Sequence, residues 1–202
     1  MTQLSVNKKI IETVLTGNET VGDIVDLVLN QYSNPQDIIT DIKLDDMEVE
    51  TSNQDEFFQE TSTKFNKIHI SIKKREDLAF EALESASEYL DHIIRKTQDL
   101  SEQIKNEEDY NDKFIEVIDG IDLFVQLMTS VHQALRFNTN MKINNLTLKE
   151  LQIHLLSILK ALIPAKQKHD LIMLSDLLEY ELIDNLTQWK INAIPALRKY
   201  QV

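Results

Sequence analysis

The sequence predicts an α+β protein in which a small β-rich head, residues 1–74, precedes an antiparallel four-helix bundle, residues 75–202. Two patterns predict it. Through the first third, apolar and polar residues alternate with period two around one short amphipathic stretch, as strands with one buried face do. After Arg75 the apolar residues instead step by four and three, the average of 3.5 that keeps a helical seam against its neighbour. With 42% hydrophobic residues and only 3 Gly and 3 Pro, the chain has material for a packed core and little for long loops.

Leu4, Val6, Ile10 and Ile11 flank the polar Asn7-Lys8 and read as an opening hairpin. Thr20 with Asp23 three residues on is a capping pair, and Val21, Ile24, Val25 and Val28 then form one apolar stripe of a short helix. Ile38, Thr40, Ile42 and Leu44 alternate with Ile39, Asp41 and Lys43, and Met47 and Val49 with Glu48 and Glu50. A turn of helix is expected near Phe57-Phe58, before a last strand with Ile68, Ile70 and Ile72 on its buried face. This order of elements resembles the ubiquitin-like β-grasp fold. The resemblance implies a β-grasp-like head with a helix across a mixed sheet; such modules host many functions, so no role follows from it.

In the bundle, Ala79, Leu83, Ala86, Leu90, Ile93, Thr97, Leu100 and Ile104 form one seam. Tyr110, Phe114, Val117, Ile121, Phe124, Met128, Val131 and Leu135 form the second. The polar Asn106-Glu107-Glu108-Asp109 is short, so the second helix should turn back on the first. A third helix after Asn144-Asn145 carries Leu148, Leu151, Leu155, Ile158 and Leu162 and is expected to stop or kink near Ile163, before Pro164. The fourth begins near Asp170 with Leu171, Leu174, Leu178, Leu182 and Trp189 inward, and Pro195 is expected to end it or bend its tail. Ile118, Val125, Leu156 and Leu159 widen the stripes and favour a closed bundle, although the same seams leave a homodimer open. The segment Leu174-Ser175-Asp176-Leu177-Leu178-Glu179-Tyr180-Glu181-Leu182 resembles the tail motif of bacterial proteins of unknown function that share this β-then-helical layout. That resemblance implies no activity.

Several classes of function drop out on composition. Without Cys there are no disulfides, thiolate nucleophiles or Cys-type metal sites. A net charge of −13 repels phosphate backbones, so nucleic acid is not an expected partner. The N-terminus lacks the basic-then-apolar order of a secretory signal, and the longest apolar stretch, Leu155 to Ile163, falls well short of a span. The expectation is a cytoplasmic protein with no membrane partner.

No motif assembles a reaction centre. Gly17 to Gly22 has the glycine spacing of a phosphate loop, but Asp23 and Ile24 stand where Lys and Ser or Thr are needed. None of His69, His92, His132, His154 and His169 follows an acid by three residues, so the di-iron pattern of helical bundles is absent. Glu88 with His92 and Glu150 with His154 share helix faces at i, i+4, where a surface pair outweighs a metal site. Glu181 and Asn185 project near the fourth seam, and a carboxylate at a core rim must meet a cation or keep its tip in water. Arg136 and Lys160 are the conceivable partners.

No catalytic residue, metal ligand or cofactor is therefore assigned. The candidate interaction residues are Asp45, Asp46, Glu48 and Glu50, from a stretch with nine acids and one base between Asp37 and Glu60, together with the aromatics Phe57 and Phe58. Asp176, Glu179, Tyr180 and Glu181 complete the set on the fourth helix. Charged strand edges that discourage sheet pairing explain the acidic stretch as readily as a docking surface for a basic partner does. The leading expectation is a non-enzymatic module that binds another protein, as adaptor or regulator. Two alternatives stay open: an acidic export or secretion chaperone of flagellar or type III-like kind holding a helical client, and a metal-binding or carboxylate-based enzyme built on Glu181 and a histidine.

Overall fold

The computed structural model describes residues 2–12 and 15–200 and shows a mixed α+β protein, a five-stranded N-terminal sheet followed by helices. Two compact units result, Met1–Leu78 and Ala79–Val202, each with its own apolar core.

The first unit holds β1 (Gln3–Val6), β2 (Lys9–Ile11), α1 (Val21–Tyr32), β3 (Asp37–Leu44), β4 (Met47–Glu48), a short helix α2 (Gln54–Phe58) and β5 (Lys67–Lys74). The strand order is β2-β1-β5-β3-β4, with β1 and β5 parallel and the other pairs antiparallel. Asn7 and Lys8 take positive φ, 48° and 67°, which suits a two-residue turn to the twist of the flanking strands. The Asn7 side chain then extends the ladder: its Oδ1 accepts from the Ile72 N–H at 2.8 Å and its Nδ2 donates to the Ile72 carbonyl at 3.1 Å. At α1, Thr20 and Asp23 form the expected reciprocal cap, and Val21, Ile24, Val25 and Val28 are buried.

Three strand expectations need correction. In β3 the register shifts between Ile39 and Asp41, so Thr40 is an extra, unpaired residue. The bulge flips the face before it, and Ile39 rather than Ile38 packs on the core. Met47 is exposed because β4 is a two-residue edge strand with nothing over it, whereas Val49 just beyond does pack inward. Ile10 is 65% exposed, since in the short β2 it is Ile11 whose side chain reaches the core.

In the second unit α3 (Arg75–Lys105) and α4 (Asn111–Leu135) bury their four-three seams; of the sixteen residues predicted there, only Tyr110 remains partly exposed. The α3–α4 connection starts with Glu107 at φ 56°, whose N–H bonds to the Ile104 carbonyl while that of Glu108 reaches the Gln103 carbonyl. This pair of bonds satisfies the last carbonyls of α3 in a short reversal. A small hairpin, β6 (Lys142–Ile143) with β7 (Leu146–Thr147), precedes α5 (Leu148–Gln167) and was not anticipated.

Thr147 caps α5: its hydroxyl accepts from the Glu150 N–H at 3.2 Å, and the Glu150 carboxylate accepts from the Thr147 N–H at 2.7 Å. The Thr147 N–H and hydroxyl hold the Glu150 carboxyl below its ordinary range. A depressed carboxyl contributes stability above its unfolded pKa and loses it as pH falls through the folded one. Thr147→Ala should therefore lower the unfolding free energy in urea by about 1 kcal/mol at neutral pH and by less in acid. An unchanged midpoint would remove the cap from the account.

Pro164 does not stop α5 at Ile163; the helix runs on to Gln167. Only one turn follows the proline, so a single ladder bond is forfeited there. Packing outweighs the loss, because Ala165 is buried and the Lys166 ammonium lies 4.1 Å from the centroid of the Phe114 ring.

The last helical run is α6 (Leu171–Asp176), α7 (Ile183–Gln188) and α8 (Ile194–Arg198), joined by π segments at Leu177–Leu182 and Trp189–Ala193. Its buried residues Leu174, Leu178, Leu182 and Leu186 are spaced by four. At 100° per residue such a run drifts about 40° per step around a regular helix. The wider π turns turn less per residue and keep the leucines facing the core. Pro195 lies near the start of α8, and the run continues past it to Arg198.

Candidate functional site

The six head candidates have different fates. Asp45 is occupied structurally: at φ 55° it turns β3 into β4, and its Oδ1 accepts from the N–H groups of Asn66 and Lys67 at 2.9 and 2.8 Å. Phe57 and Phe58 are half-buried against the head core. Asp46, Glu48 and Glu50 are exposed, with Glu48 at 3.9 Å from the Lys43 ammonium. They lie at or beside a sheet edge.

Of the four C-terminal candidates Asp176 ends α6 and Glu179, Tyr180 and Glu181 follow on the first π segment, but on two sides of it. Glu179 pairs with Lys105 at the end of α3. That pairing, followed by the charges of Tyr180 and Asp176, holds the Lys105 ammonium above its ordinary pKa. On the other side Glu181 Oε2 lies 3.0 Å from Nε2 of His154 on α5. The partner of Glu181 is thus neither Arg136 nor Lys160. Arg136 is held in the left-handed cap that ends α4, and Lys160 projects on another face of α5. Nor does Glu150 pair with His154, since its carboxylate is spent on the α5 cap.

The imidazole is held at both nitrogens. Asn185, 1% exposed, donates from Nδ2 to the Leu151 carbonyl and lies 3.2 Å from His154 Nδ1. With Asn185 donating to Nδ1, the ring proton belongs on Nε2, facing the Glu181 carboxylate. The imidazole thus links α5 to the last helical run. Sequence projection had placed Asn185 near the seam and Glu181 at its rim, and one alternative set a histidine against Glu181 without singling out His154.

Between these pairs the last helical run presents an apolar surface with acidic surroundings. Ile172 is 78% and Tyr180 66% exposed, with Met173 beside them. One hollow of about 500 Å³ is lined by Asp170, Ile172, Met173, Asp176, Leu177, Tyr180 and Glu181. A second, of about 340 Å³, shares Ile172 and Asp176 and reaches Lys105 and Glu107. From Asp170 to Trp189 the chain carries Asp170, Asp176, Glu179, Glu181 and Asp184 and no Lys or Arg. Ile172 and Met173 were missed as candidates because Leu171 next to them carried the seam. Their exposure follows from helix phase alone, which makes it a signal that was available.

No helix of the described residues is long and apolar enough to cross a membrane. Among the described residues no group of three or more His, Asp or Glu is placed to hold a metal ion. No curated protein and no solved structure gives a significant match to the chain. The TP0873 N-terminal domain matches residues 2–74, the five-stranded sheet. Residues 81–192, more than half of the chain and most of its helices, match a domain of unknown function, DUF8042, and the protein belongs to that family.

Proposed function

We propose that the protein is a non-enzymatic interaction module that docks a basic, amphipathic helical segment of another protein on the face around Ile172. The observation that carries this is a large aliphatic side chain standing almost fully in water between two hollows, in a stretch whose charges are all negative. An apolar centre with a charged rim is the layout of a protein interface, and the rim sets the sign of the partner. The π segment under Tyr180 and Glu181 fits the same role, since such widened turns recur at functional sites. Lys105, the cation at this face, is already neutralised by Glu179.

The architecture behind this proposal is a β-grasp head, boundary near residue 74, and an antiparallel four-helix bundle. The mixed sheet with parallel β1 and β5, packed on the buried stripe of α1, supports the first. The shared core of α3, α4, α5 and the last helical run supports the second.

Titration of the full chain with a synthetic helical peptide carrying Leu at i, i+3 and i+7 and Lys elsewhere tests the docking face. Micromolar binding that weakens with salt is expected, with a drop of at least about tenfold in Ile172→Asp/Tyr180→Ser. Equal binding by that variant would sink the proposal. An export chaperone is the second reading, favoured by the exposed apolar stripe Ile153, Leu156 and Ile163 on α5. It expects one dominant helical client in material purified from the native cell.

A further inference from the structure

α5 carries two stripes with the same spacing. One, Leu148, Leu151, Leu155, Ile158 and Leu162, is buried in the core. The other faces outward: Lys149, Ile153, Leu156, Lys160, Ile163 and Gln167 step by four and three, and all are exposed. Steps averaging 3.5 hold a stripe against a neighbouring helix over several turns. Yet Ile153, Leu156 and Ile163 each stand about half in water.

The charge of this stripe is positive. Between Leu148 and Gln167 the bases are Lys149, Lys160 and Lys166, and the one acid is Glu150. Glu150 is spent on the α5 cap and Lys166 lies against the Phe114 ring. Lys149 and Lys160 form no ion pair among the described residues. The face around Ile172 is the reverse, with Ile172, Met173 and Tyr180 exposed among Asp170, Asp176 and Glu181.

We propose that, until another partner binds, the chain forms a two-fold homodimer in which the outward stripe of α5 in each copy covers the Ile172 face of the other. The inference rests on reading that face as the acceptor of a basic amphipathic helix, and α5 is such a helix. Within one chain α5 cannot reach the face, because its buried seam already fixes which side it turns outward. A second copy can. α5 and the last helical run are neighbours in one core, joined at the surface by His154 and Glu181. A two-fold axis running along them sets α5 of either copy against the last helical run of the other, so the contact forms twice. Aliphatic burial gives the affinity, and the opposed charges give the pairing. With a net charge of −13 on each copy, a basic stripe is what lets two such chains meet.

Sedimentation equilibrium of the full chain at low salt should give twice the chain mass, and the dimer should weaken as salt rises. Two charge-reversed variants test the arrangement: Lys149→Glu/Lys160→Glu on α5 and Asp176→Lys/Glu181→Lys on the last helical run. All four positions are exposed, so both variants should keep the circular dichroism of the parent. Each alone should raise the dimer dissociation constant at least about tenfold, because both contacts then oppose like charges. An equimolar mixture should dimerise as tightly as the parent, since one contact is native and the other is reversed in both signs. Ile163→Asp, which leaves the lysines in place, should weaken the dimer as well. A chain that stays monomeric up to about 0.5 mM overturns the proposal. Binding of the basic peptide at Ile172 would then show that the face itself is sound and serves another protein alone. A dimer indifferent to these changes, or folded variants that do not recover on mixing, overturns it too.

Discussion

Trp189→Ala is expected to lower the stability of the folded chain by about 3–5 kcal/mol, the largest effect of any single truncation here. The indole is 1% exposed and meets the Phe124 ring edge to face, with centroids 5.3 Å apart and planes at 82°. Truncation removes that contact and the apolar area together, and it enlarges a cavity already present at its side. Trp189 also begins the second π segment, so its neighbours are held in a widened turn that closes poorly onto a void. Urea unfolding followed by far-ultraviolet circular dichroism gives the value without needing indole fluorescence. Trp189→Phe, which keeps a ring against Phe124, should lose well under half as much. A loss below about 1 kcal/mol for the alanine variant would show that this end of the core repacks freely.

The second large effect concerns the approach of α3 and α4. A Cβ on Gly120 would lie 2.3 Å from the Ile93 Cδ1 atom, and the Tyr89 hydroxyl donates to the Gly120 carbonyl at 2.9 Å. The glycine is kept in mid-helix, where it costs about 1 kcal/mol relative to alanine, because the facing isoleucine occupies its side-chain position. Gly120→Leu should cost about 2–3 kcal/mol by overpacking. Gly120→Ala should be close to neutral, helix propensity offsetting the displaced methyl. Ile93→Val, destabilising alone by about 0.5–1.5 kcal/mol, should be harmless or favourable in the Gly120→Ala background, because it removes the clashing Cδ1 atom. Additive effects in that double-mutant cycle would mean that the two helices do not meet at this pair.

Much of the fold was legible because its signals are local. The four-three steps of α3 and α4, the Thr20–Asp23 cap and the alternation in β5 each report on which side of one element is buried. Of the candidates on the last helical run, Asp176, Tyr180 and Glu181 line one hollow, whereas Glu179 turns to Lys105. What escaped was their pairing. A carboxylate's partner depends on which neighbouring helix reaches it, and Lys105 and His154 lie 74 and 27 residues away from Glu179 and Glu181. The head candidates divided in the same way. Asp45 looked like surface charge and proved to be a clasp for the start of β5, because its backbone turn aims the carboxylate at two free N–H groups.

The sequence by itself determined the succession of strands and helices apart from the β6–β7 hairpin, the buried faces of the helices and of β1 and β5, and the absence of any thiol or glycine-rich phosphate loop. These depend on residue type and on spacing within a single element. Only the tertiary structure decided the π segments that keep leucines spaced by four in register, the bulge that turns Ile39 inward, and the survival of α5 past Pro164. It alone joined His154 to Glu181 and left Ile172 in water beside two hollows. The reason is energetic: each of these departs from the best local geometry by an amount that only packing or hydrogen bonds to a distant part of the chain can offset.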